Sequence, residues 1–169
     1  NILLWPKKKI LDYPQIKKKI RRISLQIIES NIDEDDIIIA GIENNGYLIA
    51  EKICNEIRYI SKKNITLCNI MIDKKNPRNE IIVSLDPFKY KNKSVIVVDD
   101  VLNSGSTLMY AVKHILETKI KKLKTAVLVD RNHKKYPIKA DFKGLSLSTS
   151  ILNHVEILID KNGINAFLA

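Results

Sequence analysis

The chain has 169 residues, 45 % of them hydrophobic and 28 % charged, and a formal net charge of +10. That length fits one domain able to bury its own core, and the composition excludes a disordered or fibrous chain. No uninterrupted apolar run approaches the roughly 20 residues that a membrane-spanning helix needs, so no membrane partner is expected.

Residues 14–30 carry Ile16, Ile20, Ile23 and Ile27 at helical spacing, with Asp12 or Tyr13 near the cap and Pro14 suited to a first turn. The run Ile37-Ile38-Ile39-Ala40 predicts a short buried strand. Residues 46–60 predict a helix through Ile49, Ile53 and Ile57, and residues 66–71 and 81–84 are weaker strand candidates. Between those two, Asp73-Lys74-Lys75-Asn76-Pro77-Arg78-Asn79 is polar and contains proline, so a mobile loop is expected there, within a flexible, hood-like region over residues 72–93.

A strand over residues 94–98, a helix over 106–117 through Leu108, Val112 and Ile115, and a strand over 125–129 continue the alternation. Near-continuous apolar strands alternating with helices predict an α/β fold: a central, mainly parallel sheet flanked by helices on both faces. No internal boundary divides residues 1–169. In such sheets ligands sit beyond the carboxyl ends of the strands. Cys54 and Cys68 lack paired metal spacing and sit among apolar neighbours. They read as buried free thiols in a reducing cytoplasm.

At the end of the 94–98 strand stand two adjacent acids, Asp99 and Asp100, followed by Asn103-Ser104-Gly105-Ser106-Thr107 opening onto a helix. Packing has no use for two mutually repelling carboxylates at that place. A helix N-terminus offers unpaired amides and a partial positive charge, and small residues let a phosphate approach closely. Ser104, Ser106 and Thr107 add hydroxyl donors, and the acids would accept from sugar hydroxyls. The stretch therefore reads as a ribose-5-phosphate binder, against the plainer reading of an ordinary strand–turn–helix.

The run Val95-Ile96-Val97-Val98-Asp99-Asp100-Val101-Leu102-Asn103-Ser104-Gly105-Ser106-Thr107 closely resembles the phosphoribosyl-pyrophosphate signature of the type I phosphoribosyltransferases. Downstream, the segment from Thr125 through Asp130-Arg131-Asn132-His133 to Gly144 is similar to the corresponding segment of the pyrimidine-operon regulator family, PyrR. Ile10-Leu11-Asp12 with its basic helix, and Ser148-Thr149-Ser150 before the strand-like residues 155–160, are similar to that family too. The resemblance implies the type I phosphoribosyltransferase fold, with Asp99 and Asp100 on the ribose and residues 103–107 on the 5-phosphate. It implies phosphoribosyl pyrophosphate with uracil or UMP as ligands, Mg²⁺ carried by the pyrophosphate rather than by a dedicated protein site, and a homodimer or higher homo-oligomer. Family members bind mRNA, and many also act as uracil phosphoribosyltransferases.

Asp130 and Arg131 then become possible base-site residues, although Arg131 after a strand end could simply pair with Asp130. His133 is a lone histidine in a lysine-rich turn, more often just exposed. Lys18, Arg21 and Arg22, with Lys17, share one face of the first helix, which is either an RNA surface or solvated filler. The excess of lysine accompanies an excess of isoleucine and asparagine, as an A/T-rich genome produces, so charge alone does not decide.

Three departures from the family fall where chemistry is expected. The loop Glu43-Asn44-Asn45-Gly46, which would meet pyrophosphate, carries an acid and two amides where the family has Lys and Arg. Charge-assisted hydrogen bonds are roughly twice as strong as neutral ones, so the pyrophosphate end should be weakened. The segment after Met71 lacks the family's Tyr-Arg-Asp-like sequence, and Asn103 cannot take a proton where purine enzymes have Asp. Two functions remain open: transfer of a phosphoribosyl group to uracil, or nucleotide sensing by an RNA-binding regulator with weak or no transferase activity.

Overall fold

The computed structural model describes residues 7–148, 150 and 153–169; Thr149 of the Ser148-Thr149-Ser150 run lies outside the described residues. In chain order the elements are β1 (Lys8–Leu11), α1 (Tyr13–Ser30), β2 (Asp36–Ile42), α2 (Asn45–Ile60), β3 (Asn64–Met71), β4 (Ile82–Val83), α3 (Pro87–Tyr90), β5 (Ser94–Leu102), α4 (Ser106–Ile115), β6 (Lys122–Asp130), β7 (Phe142–Ser146), β8 (Val155–Asp160) and β9 (Gly163–Leu168).

Helix α1 begins where its residues dictate. Asp12 accepts from the Gln15 amide while the Gln15 side chain accepts from the Asp12 amide, a reciprocal capping box, with proline in the first turn. Ile16, Ile20, Ile23 and Ile27 are buried, each worth roughly 1.5–3 kcal/mol relative to exposure. That stripe, rather than intrinsic propensity, holds the helix.

The main sheet runs β4-β3-β2-β5-β6-β7 and is parallel except for the two-residue β4. Its strands are apolar on both faces because both are covered. Ile37, Ile39, Ile96 and Val98 pack beneath α1 and α2, whereas Ile38, Ala40, Val95 and Val97 pack with Leu108, Ala111 and Ile115 of α4. From β2 the chain proceeds outward to β3, and from β5 in the opposite direction to β6 and β7. The crevice between the carboxyl ends of β2 and β5 is therefore the topological switch point of the sheet, where α/β folds bind ligands.

The expectation for the strand over residues 94–98 is corrected at its end. Strand β5 does not stop at Val98. Pairing with β6 continues through Asp99–Val127, Val101–Val129 and Leu102–Asp130, whereas pairing with β2 ends at Gly41–Val98. The acids thus belong to a strand that has lost one neighbour. Within residues 73–79, Asp73 accepts from the amides of Lys75 and Asn76 and from the Asn79 side chain. Beyond them, residues 81–93 contribute β4 and α3, with Tyr90 buried. A small antiparallel sheet, β1-β9-β8, is built instead from residues near the two ends of the chain.

Candidate active site

Asp99 and Asp100 occupy adjacent positions of β5 and line the same cavity. The Asp99 carboxyl is buried, 4 % exposed, with Gly46 of α2 packed against it. A methyl group on Gly46 would lie 2.9 Å from the Asp99 Cα and from the Val98 oxygen. Burial first, then the neighbouring Asp100 charge, push the Asp99 carboxyl up from 3.8 to about 8, opposed by Lys74. The Asp100 amide donates to Asp99 Oδ1 at 2.9 Å, and the Lys74 ammonium lies 3.4 Å from the same oxygen. Asp100 is half-buried and accepts from the Val101 amide at 2.8 Å and from Asn45 Nδ2 at 3.2 Å.

Past Leu102 the chain turns through Asn103, Ser104 and Gly105. Gly105 has φ +87°, in the region that favours glycine, and a Cβ there would overlap Ile138. The Ser104 carbonyl accepts from the Lys135 and Tyr136 amides at 2.7 and 3.2 Å, which fixes the turn. Gly105 caps helix α4 without a side chain, and the Ser106 amide donates to Ser104 Oγ at 3.2 Å, which leaves the Thr107 and Leu108 amides for an anion. Asp99, Asp100 and residues 101–108 line one cavity of about 240 Å³, together with Lys74, Val127 and Val155. The ribose and phosphate residues expected from the sequence are thus brought together in one place.

The loop after β2 closes an adjoining cavity of about 330 Å³, lined by Glu43, Asn44, Asn45, Ile72, Lys74 and Asp100. The Glu43–Asn44 peptide is cis. Asn69 Nδ2 donates to Glu43 Oε1 at 3.3 Å, and Asn45 Nδ2 lies 3.2 Å from both Asp100 Oδ2 and the Ile157 oxygen of the small sheet. Gly46 sits inside α2, buried against Asp99 rather than facing the cavity. Among the described residues Lys74 is the one cation lining both cavities. Sequence reasoning passed over it, because a lysine in a polar, lysine-rich run carries no spacing signal.

At the end of β6, Asp130 is 1 % exposed, with the Lys143 and Lys134 ammonium groups 3.5 and 4.0 Å from its Oδ2. Arg131 is also buried, 5 % exposed. Its amide donates to Leu102 O at 3.1 Å, and its guanidinium donates to Asn103 Oδ1 at 2.8 Å, to Ser150 O at 3.3 Å and to Asn153 O. Burial lowers the Arg131 pKa from its ordinary value, and it remains a cation. His133 lies half-buried in the following turn.

The basic face of α1 is partly committed to the fold. Arg21 pairs with Glu56 of α2, and Arg22 donates to Lys143 O and Gly144 O at 2.9 and 2.7 Å. Lys18 is exposed. Cys54 and Cys68 are buried free thiols, each pushed up to about 12 by burial, hence inert at neutral pH. A larger cavity, about 790 Å³, lies between residues 77–81 and the outer side of α4, but holds neither the acid pair nor the turn.

The phosphoribosyl transferase domain model matches residues 6–160. The "Bifunctional protein PyrR" of Streptococcus thermophilus is 35 % identical over 158 residues, covering 90 % of each chain. That of Ligilactobacillus salivarius is 31 % identical over 164 residues, covering 91 % of this chain and 92 % of the relative. In architecture the chain is similar to a hypoxanthine-guanine phosphoribosyltransferase from Bacillus anthracis, with TM-score 0.76, 21 % identity and coverage of 95 % and 97 %. It is equally similar to the hypoxanthine phosphoribosyltransferase of Trypanosoma cruzi, with TM-score 0.75, 15 % identity and coverage of 94 % and 95 %.

Proposed function

The chain belongs to the phosphoribosyl transferase family, in its PyrR branch, and on that premise we propose that it binds phosphoribosyl pyrophosphate or UMP and transfers the phosphoribosyl group to uracil. The observation that carries this reading is the single cavity lined by both acids and by the whole 103–107 turn. The amides at the start of α4, with the hydroxyls of Ser104, Ser106 and Thr107, receive the 5-phosphate. The two carboxyl groups accept from the ribose hydroxyls, and Val127 and Val155 supply an apolar wall.

Transfer breaks the bond from the sugar to pyrophosphate and forms one to a ring nitrogen of the base, whose proton leaves to solvent. The state between resembles a sugar cation, so the protein acts mainly by holding the partners in line and by stabilising charge. Lys74, placed between the two cavities, faces the departing pyrophosphate. Among the described residues no group of three or more His, Cys, Asp or Glu side chains could hold a metal. Two neighbouring carboxylates with substrate oxygens do fit Mg²⁺, which takes few protein ligands. Asp99 and Asp100 are the residues that would face it, and when bound it neutralises charge on the pyrophosphate.

A second reading follows from the loop after β2. Glu43, Asn44 and Asn45 bring no cation to the adjoining cavity, and Asn45 is already engaged with Asp100. A nucleotide-sensing regulator needs the ribose-phosphate cradle but not strong pyrophosphate binding, and its RNA contacts would fall on the exposed lysines of α1 rather than on Arg21 and Arg22. Titration of UMP and of phosphoribosyl pyrophosphate, each with and without Mg²⁺, separates the two. Tight Mg²⁺-dependent binding of phosphoribosyl pyrophosphate supports the transferase, and tight UMP binding alone supports the sensor. If neither ligand binds, or if Asp99→Asn with Asp100→Asn leaves both unaffected, the cradle has been misassigned.

A further inference from the structure

Asn103 stands where a purine transferase would carry a proton acceptor, and its side chain has a determinate orientation. Its Oδ1 lies 2.8 Å from Arg131 Nη1. A guanidinium has five donors and no acceptor, so only the amide oxygen can face it. The usual ambiguity between the two ends of an asparagine amide is thereby removed.

Arg131 is itself immobilised, being buried and bonded to the carbonyls of Ser150 and Asn153, while its own amide ties the end of β6 to Leu102. Asn103 is exposed and lines the cavity that holds the acid pair. Its Nδ2 donates to no acceptor among the described residues.

We propose that Asn103, oriented by Arg131, is a fixed hydrogen-bond donor that reads the 4-carbonyl of the base, the carbonyl that uracil has and cytosine lacks, so that the site selects oxo-pyrimidine over amino-pyrimidine nucleotides. The cavity then has a polarity. Its acceptors, Asp99 and Asp100, meet the donor hydroxyls of the sugar, and its donor meets an acceptor on the base. An amino group at the same ring position points its hydrogens at the hydrogens of Nδ2. A site that presents a donor rejects such a ligand because neither group finds a partner. Asn103 is the specificity-determining residue and Arg131 a positioning residue that acts through it. This inference rests on the reading of the cavity as a ribose-phosphate site.

The test is calorimetric titration of UMP, CMP and ribose 5-phosphate into the intact chain and into Asn103→Asp. The variant replaces the donor with an acceptor and keeps an oxygen for Arg131, so the turn is retained, which circular dichroism and the melting temperature check. The intact chain is expected to favour UMP over CMP by roughly 10-fold or more. In Asn103→Asp the UMP-to-CMP ratio should fall to one or invert, with ribose 5-phosphate titrated alongside to measure what the added charge does to the cradle alone. Arg131→Gln, which can offer its own oxygen and release the Asn103 amide to turn, should lose the preference without reversing it.

Equal affinity of the intact chain for UMP and CMP overturns the proposal and leaves the cradle standing. A uniform loss across all three ligands in Asn103→Asp overturns it as well, since the residue would then serve the turn rather than the base. Failure of ribose 5-phosphate to bind the intact chain overturns the cradle itself, and the donor assignment with it.

Discussion

Replacing Asp99 with Asn should make the protein more stable while removing its ribose contact. The carboxyl is buried beside Gly46, and its pKa stands near 8 against an ordinary 3.8. An acid whose folded-state pKa is raised binds more protons folded than unfolded between about pH 4 and pH 8. Stability therefore falls as pH rises through that window and levels off above it. At pH 7 the ceiling of this penalty is about 4 kcal/mol. An amide carries no such penalty and still offers Oδ1 to the Asp100 amide, but its new N–H group must find a partner, at a cost of about 1–3 kcal/mol if it does not. The expected net gain is about 1–3 kcal/mol at pH 7, a rise in Tm of several degrees at about 2–4 °C per kcal/mol. Paired thermal melts of the two proteins at pH 4 and pH 7 measure it, because groups common to both cancel in the difference. An equal gain at the two pH values, or a loss at pH 7, would refute the account of Asp99 as a carboxyl held in an unfavourable place for function.

Lys74→Ala should weaken phosphoribosyl pyrophosphate more than UMP and lower the salt dependence of the former; parallel losses in titrations at two ionic strengths would remove Lys74 from the pyrophosphate. Glu43→Lys should strengthen phosphoribosyl pyrophosphate by about 1–3 kcal/mol with little effect on UMP, read by the same titrations, and an equal gain for both would mean that the loop faces elsewhere. Arg22→Ala breaks two bonds to backbone carbonyls and should lower stability by about 1–3 kcal/mol, whereas Lys17→Ala with Lys18→Ala should leave the melt unchanged and weaken any complex with a structured RNA, measured by fluorescence anisotropy. Gly105→Ala forces a side chain into a positive-φ position against Ile138 and should cost roughly 1–3 kcal/mol, visible in urea unfolding; a neutral result would show that the turn can move.

The parts of the fold that were legible are those whose burial is written in local pattern. Ile37-Ile38-Ile39-Ala40 and Val95-Ile96-Val97-Val98 are apolar on consecutive residues because both faces of the sheet are covered, and the isoleucines of α1 repeat with the turn of the helix. The acid pair and the 103–107 turn were legible for the opposite reason, being residues that packing does not ask for. What could not be read depends on distant partners. Strand β1 is Lys8-Lys9-Ile10-Leu11 and becomes a strand only by pairing with β9 more than a hundred residues away. The extension of β5 past Val98 hid behind two carboxylates that look like a loop. Arg131 and Asn103 are 28 residues apart, and nothing in either neighbourhood announces their bond. Lys74 lies in a run that reads as solvent-facing until the turn around Asp73 is known.

The small sheet has a consequence for the order in which the molecule can become competent. Its middle strand, β9, is the last element of the described chain, and β8 pairs with nothing else in that sheet. Yet β8 supplies Val155 to the wall of the cavity and the Ile157 carbonyl that receives Asn45. During synthesis the main sheet, the acid pair and the phosphate turn are all available by residue 146, while β1 waits for β9. Joining those remote segments requires closing a very long loop, which is slow relative to local folding. An open half-site therefore precedes the complete one, and the pocket acquires its last wall only when residues 163–168 are free to reach back to β1.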